Sequence, residues 1–281
     1  MNALSKLLPR ALLVAVSVAV FSSGALATSE FRPLQPWNTL ALVYESTDVE
    51  EPDQVTAMVR QSTELMVQAL TVAFSLKPEP TTWEPQMTAA AKANLNDALA
   101  QMPGIVDEWS DGRAAMDITV QYVDTPLSAT AYYGHTGATV NADSIRTDLE
   151  RYAPHDVYDA VFVVWRNASD QGPLMLRHAG VAFPYLDSGT NAYIASIPLK
   201  AYFDADTDTR GLREVFVHEW LHQVIAENNA HGAENVAPLH EPRDYGYENV
   251  GTARYWYSDM MNGNLADAFG VHLLDFTPPW R

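Results

Sequence analysis

The sequence predicts a layered α/β (α+β) domain: a mixed twisted sheet, one long helix set against it, and a mostly helical or irregular C-terminal subdomain. Three observations predict it. Met116–Val123 alternates, with Met116, Ile118, Val120 and Tyr122 on one side and polar residues on the other, the period of a half-buried strand. Val157–Trp165 (VYDAVFVVW) is too uniformly apolar and β-branched for an edge and reads as a central strand. Helical patterns stand before, between and after these strands with no internal repeat, so helices and strands share one core.

Residues 1–27 read as a secretory signal peptide. Lys6 and Arg10 precede the apolar run Ala11–Phe21, and Ala25-Leu26-Ala27 has the small-x-small order of a cleavage site. Cleavage after Ala27 gives an exported chain, periplasmic or secreted, with 28–281 as a single domain and no later stretch of membrane-spanning length. Two prolines make Phe31–Trp37 an irregular lead-in, and Thr39–Tyr44 is the first strand. Pro52 opens a helix running to about residue 76, and the three prolines of Lys77–Pro85 make a loop. A second helix is expected over Gln86–Gln101 with Pro103-Gly104 as its stop, and a third over Asp143–Tyr152. Ala192–Leu199 is a further strand, while Tyr132–His135 and Gly180–Tyr185 read as loops. A helix over about 211–227 precedes the C-terminal subdomain, about 228–281.

Composition excludes several chemistries. A formal charge of −18 repels phosphate backbones, so no nucleic-acid partner is expected. With no cysteine there is no disulfide framework and no thiolate, and any metal must be held by histidine and carboxylate. There is no G-x-S-x-G elbow, phosphate loop or dinucleotide fingerprint. Asp204-x-Asp206-x-Asp208 has Thr209 and Val215 at the places where a calcium loop needs Gly and Glu, so it reads as a solvated acidic turn.

One motif remains. His218-Glu219-Trp220-Leu221-His222 is H-E-x-x-H, which a chain of this composition produces by chance about 0.01 times. Residues four apart on a helix lie on one face, so His218 and His222 can each offer a nitrogen to one Zn²⁺. Glu219 lies beside that face, close enough to hydrogen-bond a water at the metal without becoming a ligand.

This motif resembles the zinc-binding helix of the zincin metallopeptidases. The resemblance implies that His218 and His222 are metal ligands, that Glu219 is the general base, that a third ligand lies downstream, and that the fold is zincin-like. Ser258-Asp259-Met260-Met261-Asn262-Gly263 resembles the methionine turn of the metzincin branch, although Gln223–Asn228 lacks that branch's further Gly and His. The downstream order of L-H-E, Y-G-Y and W-Y is similar to a group of exported bacterial zincins. His240, in the constrained segment Pro238–Pro242, is the favoured third ligand, with His231, Glu241 and Asp259 as alternatives and Glu248 as the choice of another zincin branch. Glu227 is set aside because it falls about 140° around the helix from His222. Tyr245, Tyr247, Tyr255 and His135 are candidate oxyanion donors, and Trp256-Tyr257 candidate walls. The expected function is therefore an exported zinc peptidase acting on a protein or peptide substrate. The alternative is a noncatalytic secreted domain that holds metal or a partner, for which Glu219 would have no use.

Overall fold

A computed structural model of the protein describes residues 34–48, 86–132, 138–167, 180–200, 210–233, 235–247, 253–267 and 270–279. The chain divides into a unit Met1–Pro33 and a unit Leu34–Arg281, and all described residues belong to the second. The expected signal segment, the helix over 52–76 with its following loop, His135, Glu248 and the acidic turn at 204–208 lie outside the described residues.

In chain order the elements are β1 (Trp37–Tyr44), α1 (Ala89–Trp109), β2 (Met116–Val123), the short pair β3 (Ala131–Tyr132) and β4 (Ala138–Thr139), and α2 (Arg146–Tyr152), which a single 3₁₀ turn introduces. Then come β5 (Ala160–Asn167), β6 (Val181–Leu186), β7 (Tyr193–Lys200), α3 (Arg210–Ala230), α4 (Ala253–Asn262), β8 (Ala266–Asp267) and β9 (Gly270–Val271). Five strands form one sheet in the order β2-β1-β5-β7-β6, parallel except for β6, which runs antiparallel to β7 at one edge. The architecture is a mixed α/β fold.

The sheet is buried on both faces, which is why its inner strands read as continuous apolar runs. Ala41 and Val43 of β1, Phe162 and Val164 of β5, and Ala195 and Ile197 of β7 face a core shared with α1, α3 and α4. Leu40, Leu42 and Tyr44, with Val161, Val163 and Trp165, face a second core that includes Leu149 of α2. β5 is central, as its composition predicts. On the edge strand β2, Met116, Ile118 and Tyr122 join the first core while Val120 is exposed.

Three expectations are corrected. Pro103 does not stop α1, which continues to Trp109. A mid-helix proline loses one backbone hydrogen bond. However, Leu95, Ala98, Leu99 and Met102 before it and Val106 and Trp109 after it are buried together, and that packing carries the helix through. The segment 180–185 is largely strand rather than loop: β6 is an edge strand with a register shift between Ala182 and Leu186, and its exposed Pro184 sits where no ladder donor is required. Ser258–Asn262 is not a turn but the last turns of α4, with Met260 and Met261 both buried, and only Gly263 takes a left-handed φ of 70°.

The C-terminal segment is pinned beneath α3. The Trp37 indole N–H donates to the Phe276 carbonyl at 2.8 Å, and Phe276 stacks on Trp220 with ring centroids 5.8 Å apart. Asn228, near the end of α3, donates to the Asp275 carbonyl at 2.8 Å and accepts from the Asp275 amide at 2.9 Å. These contacts fix the helix that carries the motif. No described helix is long and apolar enough to cross a membrane.

Candidate metal centre

α3 forms because Phe216, Val217, Trp220, Leu221 and Val224 give it a buried stripe. That stripe leaves His218 and His222 one turn apart on the half-buried side. Their Nε2 atoms are 3.2 Å apart, and His240 Nε2 lies 2.9 Å from His222 Nε2. All three candidate ligand nitrogens fall within 4.8 Å of one another.

His240 is delivered by a loop whose position α4 fixes. Trp256 donates its indole N–H to the Leu239 carbonyl at 3.1 Å, and buried Leu239 anchors the residue before the histidine. The next residue of α4, Tyr257, places its hydroxyl 2.8 Å from His218 Nδ1. With the Nε2 lone pair turned toward the other histidines, the Nδ1 proton is donated to that hydroxyl, which fixes tautomer and ring orientation. Burial, and then Glu214 and Glu219, raise the Tyr257 pKa, so the phenol stays neutral. Burial, and then His240, lower the His222 pKa to about 4, which keeps its imidazole neutral at physiological pH.

The donor set fits a zinc ion. Two nitrogens at tetrahedral angles on one zinc stand about 3.3 Å apart, and the observed separations of 3.2 and 2.9 Å lie close to that edge. One Nε2 cannot be both donor and acceptor, so His222 cannot relay a proton between its two neighbours. Three imidazoles sharing one small volume, with His222 held neutral by its burial, are a donor set that a Lewis-acidic cation would satisfy.

Glu219 is 2% exposed. The Ala182 amide of β6 donates to its carboxylate, whereas Oε2 is buried with no partner. Burial raises the carboxyl pKa to about 8, against the opposing pull of the Ala182 hydrogen bond.

The other candidates lie elsewhere. His231 pairs through Nδ1 with Glu227 at 3.0 Å, and Glu227 also accepts from Tyr193 at 2.9 Å. Asp259 accepts from Tyr247 and from Asn264, and Glu241 is exposed beside His240 without joining the three histidines. Tyr245 meets His272 Nε2 at 3.1 Å, and its ring and that of Tyr247 pack on Trp256. Of the candidate oxyanion donors, Tyr245 and Tyr247 are thus engaged elsewhere, and Tyr255 is exposed. Two features escape the sequence reading: the contact of β6 with Glu219, and the hydrogen bond of Tyr257 to His218. The only sequence signal for the first is the glycine before the Val181-Ala182-Phe183 run.

No family model, no curated protein and no solved structure matches this chain.

Proposed function

We propose that the chain is an exported zinc-dependent peptidase of zincin type, with His218, His222 and His240 as metal ligands and Glu219 as general base. One observation carries the reading: three imidazole nitrogens converge at the helix turn that also carries Glu219, whose buried carboxylate accepts from the Ala182 amide and keeps Oε2 unpartnered. When bound, zinc supplies Lewis acidity, polarising a carbonyl oxygen and making hydroxide available near neutral pH. The three histidines are suited to hold it, since burial keeps His222 neutral and Tyr257 orients His218. Glu219 Oε2 takes the proton of the attacking water and returns it to the leaving amine. Burial raises the Glu219 carboxyl pKa, and the charge of a bound zinc would oppose that rise and favour the carboxylate that the first transfer needs. The basic, apolar and small-x-small order of the first 27 residues supports export.

The test is metal content and cleavage of an unstructured protein by the purified chain. Wild type should contain about one zinc and cleave, and Glu219→Gln should keep the metal and lose about 10²–10⁴-fold in kcat. A chain that holds zinc and cleaves nothing in a broad peptide library is instead a noncatalytic metal-holding domain.

A further inference from the structure

Backbone of the segment entering β6 lies against Glu219. A Cβ on Gly180 would stand 2.5 Å from Glu219 Oε1 and 2.7 Å from both Cδ and Cγ. Side chains do not approach so closely, so only glycine lets the main chain lie against this carboxylate. Gly180 is not among the glycines with positive φ, which are Gly112, Gly232, Gly246, Gly263 and Gly270. The space that the Glu219 carboxylate occupies accounts for the glycine. Two residues on, the Ala182 amide donates to the same carboxylate. β6 pairs within the sheet with β7 alone, through Val181 and Ala182 among others, which leaves its outer edge open toward the helix.

We infer that Gly180 and the Ala182 amide are positioning residues for Glu219. The first does so by the room its missing Cβ leaves, the second by its hydrogen bond, and together they hold the carboxylate so that Oε2 stays available. This rests on the reading of Glu219 as the base.

The experiment is a double-mutant cycle on the full chain with two readouts. Gly180→Ala forces the carboxylate aside. It should lower the unfolding midpoint by about 5 °C or more in the wild-type background, and by about 1 °C or less in the Glu219→Ala background, where the new methyl group finds space. With zinc content unchanged, kcat of Gly180→Ala should fall at least about tenfold while KM stays within about threefold, since a small misplacement of a reacting group acts on the chemical step. Equal midpoint shifts in both backgrounds, or an unchanged kcat, overturn the inference. If only the double variant folds, the coupling is shown in its strongest form. If neither folds, Ala182→Pro, which removes the donor, decides by the same kcat criterion. A wild-type chain that never cleaves sinks the peptidase reading, while the midpoint cycle still reports on the contact.

Discussion

Glu219 makes the metal-free chain unusual in its dependence on pH. Its carboxyl has an ordinary value of 4.5 and a folded value of about 8, raised by burial. Between those values the folded chain binds more protons here than the unfolded chain, so this group's contribution to stability falls as pH rises from 4.5 to 8. Each unit is worth about 1.4 kcal/mol, so the cost is about 3 kcal/mol at pH 7 and approaches about 5 kcal/mol above pH 9. Glu219→Gln keeps the shape, still accepts from Ala182 and cannot ionise. Its unfolding free energy, measured by urea denaturation with a chelator present, should therefore exceed that of wild type by an amount that opens from near zero at pH 4 to several kcal/mol at pH 8. His222 acts in the opposite direction. Its pKa is lowered from 6.5 to about 4 by burial first and by His240 second, so its contribution is present above 6.5 and is lost as pH falls through 4. Because both chains carry it, the difference between them isolates Glu219. A gap that is independent of pH, or a wild type more stable than the variant at pH 8, refutes the reasoning.

Three further outcomes follow from the same contacts. Tyr257→Phe removes the group that orients His218, and zinc affinity measured by competition with a chelator should fall about 10–100-fold with the fold intact. Asn228→Ala breaks both hydrogen bonds to the backbone of Asp275, so the unfolding free energy should drop by about 1–2 kcal/mol. Gln223 is fully buried with neither end of its amide partnered, so Gln223→Met should raise the unfolding midpoint by a few degrees.

What the sequence discloses is what local pattern encodes. The ends of β2 are legible to the residue because its alternation is undisturbed, and β5 is legible as central because both its faces are buried. His218, Glu219 and His222 lie within one helical turn, so their geometry follows from helix pitch alone, and the prolines around His240 mark a held loop. Whatever depends on distant packing is hidden. Pro103 is a local stop signal that the buried stripe of α1 overrides, and Pro184 disguises β6 because an edge position tolerates it. Tyr257 lies 39 residues from His218 and reaches it only because α4 docks on α3. The link between Gly180 and Glu219 likewise joins two elements that the sequence leaves unrelated.

Anomalous diffraction at the zinc edge from crystals of the purified chain tests the central claim most directly. A single strong peak enclosed by the Nε2 atoms of His218, His222 and His240 is expected, and it should be lost in His240→Ala. The absence of a peak there from zinc-replete crystals, or a peak bound by other residues, contradicts that claim.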